Sequence, residues 1–236
     1  MDLGTTLGVW AHPDDDIYLS SGLMAANAQM GNRVVDVTAT RGEGGSMDEE
    51  RWPPETMADV RTDELLRSLE VLGVHEHRFL EGFVDVDMDA PLGDGTDQVR
   101  AIIEEVQPRS VLTMGPEGMT GHHGHQDVSR WVTAAFREAA PPGARLYHAT
   151  YPPEWGARWV EELVPFEIFR PGTPPIVTRD RIEVVLELPP DLLELKLEAI
   201  KCHESQIEAL LHVFGDEGFR EFMSAEYFRL VAEKEG

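Results

Sequence analysis

The run Trp10-Ala11-His12-Pro13-Asp14-Asp15-Asp16 constrains this chain more than any other stretch. It follows a short apolar segment, Thr6 to Trp10, and precedes an apolar-periodic one that starts near Ile17. That context predicts strand, tight turn, helix. An imidazole and three carboxylates are thereby crowded into a turn at the C-terminal end of a strand, where open α/β sheets bind their ligands. Groups so hard to desolvate, packed so closely, point to a cation or a reaction.

The same pattern continues along the chain. Leu7–Ala11 reads as a strand and Tyr18–Met30 as a helix closed by Gly31. Arg33–Thr40 is β-branched and nearly continuous, as a buried parallel strand should be. A polar loop, Arg41–Pro54, leads to a helical pattern over Glu55–Leu72, and a short strand follows over His77–Leu80. Val99–Val106 reads as helix, Ser110–Met114 as strand, Gln126–Ala139 as helix and Ala144–Thr150 as strand. Pro152–Pro175 is an excursion rich in proline. Ile182–Leu188 alternates like a strand with one solvated face, Asp191–Val213 reads as the longest amphipathic helix, and the tail is helix or short strand. Repeated β-then-α units predict an α/β fold: one domain over residues 1–236, with a mostly parallel Rossmann-like sheet and helices on both faces.

Composition narrows the partners. A formal net charge of −24 repels phosphate backbones, so no nucleic acid is expected. Neither a leader pattern nor a long apolar span is evident, so no membrane partner is expected. The single cysteine, Cys202, fits a cytoplasmic protein.

His122, His123 and His125 lie just beyond the predicted strand Ser110–Met114 and its glycine-rich loop. In a parallel sheet the C-terminal strand ends share one edge, so this cluster and the opening turn can converge. His12, a histidine of the second cluster and a carboxylate make a His₂–carboxylate set, the ligand set of a hydrolytic zinc site with a position open for water. A neighbouring carboxylate can take that water's proton. Spacing leaves open whether Asp14 or Asp15 is the ligand, and an Asp-rich turn is also a common helix cap. Arg61, with Glu64 three positions on, reads as a solvated pair on a helix face. Trp155 and Trp159 suit packing better than sugar stacking.

Ala11-His12-Pro13-Asp14-Asp15-Asp16 resembles the A-H-P-D-D-E signature of the LmbE-like (PIG-L) family of zinc-dependent N-acetylglucosaminyl deacetylases. Gly115 to His125 resembles that family's loop ending in G-H-P-D-H. Thr40-Arg41-Gly42-Glu43 is similar to its T-x-G-E segment, Arg61 to Glu64 with Leu72-Gly73 to its R-x-x-E…L-G helix, and His203-Glu204-Ser205-Gln206 to its H-x-S-Q helix. The matches keep the family's order. The resemblance implies that His12, Asp15 and His125 bind Zn2+, with another divalent metal able to use the same ligands. It further implies that Asp14 is the general base and later the acid, that His122 stabilises the oxyanion, best as an imidazolium, and that Arg61 contacts substrate. Arg41, in the adjoining glycine-rich wall, is the second candidate substrate contact. Asp16 replaces the family glutamate, and His123-Gly124 replaces Pro-Asp. With glycine there, Asp127 is an acid available to support His122.

The function expected is hydrolysis of an N-acetyl or other N-acyl group from an N-acetylglucosamine-type amino-sugar derivative, a small-molecule partner. The alternatives are a zinc amide hydrolase for another small N-acyl metabolite, or a non-catalytic carbohydrate- or metal-binding protein. The resemblance also implies a homo-oligomer. Residues 81–94 and 152–175 are the expected recognition surface.

Overall fold

Thr6–Trp10 forms β1, every residue of it buried, and Val34–Thr38 forms an equally buried β2 parallel to it. Strands covered on both faces favour apolar and β-branched side chains, which is why these runs read as near-continuous rather than alternating. The computed structural model describes residues 1–87 and 90–235; residues 88 and 89 of the expected recognition surface lie outside them. Glu76–Phe79 forms β3, Ser110–Thr113 β4, Arg145–Ala149 β5, Val184–Glu187 β6 and Ala225–Glu233 β7. The sheet order is β3-β2-β1-β4-β5-β7-β6. The first five strands are parallel, while β7 runs antiparallel between β5 and β6. Strand order reverses between β1 and β4, which makes their C-terminal ends the natural crevice for a ligand.

Helices α1 (Asp15–Gln29), α2 (Met57–Leu72) and α6 (Pro190–Ile200) pack together on one face. Helices α3 (Thr96–Val106) and α4 (His123–Ala139) cover the other. The excursion after β5 contains α5 (Pro153–Leu163), whose Trp155 and Trp159 are buried in a small apolar cluster of their own. Their role is packing, as expected.

Two elements differ from the sequence reading. The long helix expected over Asp191–Val213 is two helices, α6 and α7 (Glu204–Phe222), broken around His203. The buried Glu64 carboxylate accepts the Ser205 backbone N–H at 2.8 Å and its hydroxyl at 2.7 Å, satisfying the start of a new helix from far along the chain. The tail is a nine-residue strand paired on both edges. Its Glu226 is fully inside, bonded to Lys196 Nζ at 2.7 Å and to the N–H groups of Gly22 and Leu23 at 2.8 and 2.9 Å. Lys196 Nζ also reaches the Tyr18 carbonyl at 3.0 Å. A buried ion pair is thus spliced into the backbone ladder of α1, and its charge hides the strand from a hydropathy reading.

Candidate active site

β1 ends at Trp10 and α1 begins at Asp15, so the turn between them has four residues in which to reverse the chain. Asp14 absorbs the reversal with φ of 105°, a left-handed conformation that is strained for a residue with a Cβ. Asp15 then folds back over the strand end, where its Oδ2 accepts the N–H of Ala11 at 3.1 Å and of His12 at 2.8 Å. Its Oδ1 stays free to face His125 Nε2 at 3.4 Å. Helix α4 starts at His123, three residues before the expected Gln126, which sets His125 in its first turn.

His12, Asp15 and His125 come together with their ligand atoms within 4.8 Å of one another. His12 Nδ1 lies 2.9 Å from His125 Nε2 and 3.7 Å from Asp15 Oδ2. Ligands of a tetrahedral zinc with bonds of about 2.0–2.1 Å stand about 3.3 Å apart. The outer nitrogens are already engaged. His125 Nδ1 bonds the Gly118 carbonyl at 2.8 Å and Thr120 Oγ1 at 3.0 Å, and His12 Nε2 bonds the Asp85 carboxylate. If those nitrogens carry the protons, both facing nitrogens present lone pairs, and at 2.9 Å only a cation between them reconciles the contact. Burial disfavours the His12 imidazolium, but Asp85 and Asp15 outweigh it and hold His12 above its ordinary value. Burial holds His125 below its own. The donor set and its outer bonds therefore fit a divalent metal ion.

Asp14 stands beside this set. Burial pushes its carboxyl up to about 7, against the pull of the Arg61 guanidinium, so it sits near the range a general base needs at neutral pH. Arg61 is not the solvated arginine that the sequence suggests. It is 5% exposed and bonds Asp14 Oδ2 at 3.2 Å, while Glu64 turns instead to Ser205. A Cβ at position 42 or 45 would stand 2.2 or 2.4 Å from Arg61 Nη1, so the glycines of that loop make room for the guanidinium. Gln206 Nε2 ties the same loop down through the Gly45 carbonyl at 2.9 Å, which accounts for the H-x-S-Q segment.

The other sequence candidates depart from their expected roles. Arg41 is not among the residues around the cavity at the site; its guanidinium lies 4.1 Å over the Phe79 ring and bonds Thr62 Oγ1 at 2.7 Å. His122 does line that cavity, but burial and its neighbours His125 and His12 push it down to about 4, which favours the neutral ring over the expected imidazolium. Asp127 does not support it, because its oxygens hold the Leu92 N–H at 2.7 Å and Arg130 at 2.6 Å. A Cβ at Gly124 would point to Leu92 and to His12 Nε2 at 3.6 Å rather than to His122. Asp16 is buried with neither oxygen hydrogen-bonded among the described residues, and burial together with Asp36 holds it well above the usual carboxylate range.

The sequence reading missed Asp85, whose carboxylate orients His12 and whose backbone is clasped by Glu43 Oε2 at 3.0 Å and Gly44 N at 2.6 Å. Its only signal is an acid in the loop after β3, at the same sheet edge. The cavity beside His12, Asp15 and His125 has a volume of about 420 Å³.

The family described as PIG-L, GlcNAc-PI de-N-acetylase, matches residues 7–136. A 1D-myo-inositol 2-acetamido-2-deoxy-alpha-D-glucopyranoside deacetylase of Thermobifida fusca is 30% identical, over 94% of this chain and 91% of its own. Among solved structures, the N,N'-diacetylchitobiose deacetylase of Pyrococcus horikoshii superposes with a TM-score of 0.67 at 21% identity, covering 96% of this chain and 83% of that one. The 4-carboxy-2-hydroxymuconate hydratase GalB of Pseudomonas putida superposes with 0.64 at 18% identity, covering 97% and 96%. The fold alone is therefore shared with a protein named for a different reaction.

Proposed function

This chain belongs to the PIG-L family, and from that premise we propose that it is a zinc-dependent hydrolase that removes the N-acyl group, acetyl in the simplest case, from an N-acetylglucosamine-type amino sugar. The observation that carries the reading is the pair of facing nitrogens on His12 and His125, closed by Asp15 and flanked by Asp14.

His12, Asp15 and His125 would hold the metal, the two histidines by their facing nitrogens. When bound, zinc supplies a Lewis acid that makes water acidic near neutral pH and polarises a carbonyl. Asp14 accepts a proton from the attacking water as its oxygen bonds to the amide carbon. His122 donates its N–H to the oxyanion of the tetrahedral intermediate, an interaction that strengthens only as charge develops. Asp14 then returns the proton to the amide nitrogen, the C–N bond breaks, and carboxylate and free amine leave. Arg61 holds Asp14 in place and presents its charge to the substrate's polar side. Asp85 fixes the His12 tautomer.

No helix among the described residues is long and apolar enough to cross a membrane. A cytoplasmic location, which the lone cysteine suits, and a homo-oligomeric state belong to the same proposal.

Amine release from N-acetylglucosamine conjugates, with metal analysis of the same sample, tests the reading. Asp14→Asn is expected to keep its zinc and lose turnover by at least about 10²-fold, whereas His12→Ala loses the metal. A fully active Asp14→Asn protein sinks the assignment of the base. Zinc bound with no release from any conjugate favours a binding protein, and release only from N-acyl compounds that are not sugars favours a different metabolite.

A further inference from the structure

The cavity beside the metal ligands has two unlike sides. Arg61, Asp85 and the 42–46 loop come from the connections after β2 and β3, on one flank of β1. Tyr151, Leu163, Phe166 and Phe169 come from the segment after β5, on the opposite flank, and Leu210 and Phe222 of α7 join them. The charged residue among the described lining residues on the β5 flank is Glu167, which is solvent-exposed. This apolar wall is braced from behind. Tyr151 stacks on Trp155 with centroids 3.5 Å apart, and Trp155 in turn meets Phe169 at 6.4 Å and Phe222 at 5.8 Å.

A scissile amide carbon between the metal ligands and His122 carries two substituents, the nitrogen with its sugar and the acyl carbon. Sugar hydroxyls need hydrogen-bonding partners, and burying them against phenylalanine and leucine leaves them unpaired. The flank of Arg61, Asp85 and the 42–46 loop is the polar one, lined by charged side chains and backbone groups, so the acyl group is directed to the β5 flank. An acetyl methyl covers little of a wall built from Tyr151, Leu163, Phe166, Phe169, Leu210 and Phe222.

We propose that the β5 flank is an acyl-chain subsite and that the preferred substrate is an amino sugar bearing a medium-length aliphatic N-acyl group. The inference rests on the amide-hydrolase reading above and adds the substrate's apolar half.

The test is a series of N-acylglucosamines from acetyl to decanoyl, assayed for amine release on the zinc-loaded enzyme. The same series is measured for binding by calorimetry on zinc-loaded Asp14→Asn protein. We expect kcat/KM and affinity to rise about threefold for each methylene that enters the cavity. Phe169→Ser and Leu210→Ser, both at half-buried positions, are expected to lower the octanoyl-to-acetyl ratio of kcat/KM at least tenfold. A flat or falling dependence on chain length in both measurements overturns the proposal while leaving deacetylation of the acetyl compound intact. A rise seen only across alkyl glycosides of N-acetylglucosamine overturns it too, because the wall then holds the aglycone. Affinity that climbs with chain length, with no amide cleaved at any length, upholds the subsite and removes the hydrolase reading beneath it.

Discussion

Arg61 Nη2 lies 3.2 Å from Asp14 Oδ2 and 2.6 Å from the carbonyl oxygen of Pro13, so one guanidinium grips both the Asp14 carboxylate and the strained turn that carries it. The turn's left-handed Asp14 is held by a residue on the helix after β2, and the proposed base therefore depends on a partner 47 positions away.

Arg61 is expected to set the acid limb of activity. Burial raises Asp14 to about 7, and the Arg61 cation opposes that rise. Removing the cation raises the base further, so in Arg61→Ala the acid limb of kcat/KM moves to higher pH and the rate falls by roughly 10²-fold. Arg61→Lys keeps a cation near the base and leaves the limb closer to that of the wild type. A pH profile of Arg61→Ala with an unmoved acid limb counts against Asp14 as the titrating base.

Asp85→Asn is expected to weaken metal retention by about 10- to 100-fold, because the His12 ring loses the carboxylate that orients it. Gly124→Asp in the same chain should recover part of the loss, since a Cβ at 124 lies 3.6 Å from His12 Nε2. Competition against a zinc chelator measures both, and unchanged affinity in Asp85→Asn removes the proposed role.

Lys196→Met leaves the Glu226 carboxylate buried without its cation, although Gly22 and Leu23 still donate to it. The expected destabilisation is about 3–5 kcal/mol by denaturant unfolding. Adding Glu226→Gln removes the stranded charge and should return part of it.

His203 is fully buried, and burial pushes it down to about 3 from the 6.5 of an unperturbed histidine. Its folded value lies below its unfolded one, so the unfolded chain binds the proton more readily between the two. Its contribution to stability is therefore complete above about pH 6.5 and is lost as the pH falls toward 3. At pH 5 that loss amounts to about 2 kcal/mol. His203→Gln should narrow the gap between unfolding at pH 7 and at pH 5, and an unchanged gap removes His203 as a source of acid sensitivity.

Much of the fold, and the meeting of the two histidine- and aspartate-rich segments at one sheet edge, were legible because they obey local rules. Val34–Thr38 announces a buried parallel strand by its β-branched run, and the His12–Asp16 turn announces itself by charge where a strand gives way to a helix. What was not legible involves groups that local rules place in solvent. Glu226, paired inside the protein with Lys196, obscures the length of β7, next to the sheet edge. Glu64 breaks a helix that periodicity runs through, Arg61 turns inward to Asp14, and Asp85 meets His12 from a loop without periodic signal.

The amino-acid sequence by itself therefore determined the alternation of strands and helices, the edge at which their ends meet, and the histidines and aspartates gathered there. Hydrophobic periodicity and turn chemistry act over a few residues, and a few residues suffice to fix them. Only the tertiary structure decided which nitrogen of each histidine faces inward, which acids are desolvated, and that one wall of the cavity is apolar. Those properties depend on side chains from β1, α2, α4, α7 and the segment after β5 meeting within a few ångströms, where low dielectric makes each charge depend on its neighbours.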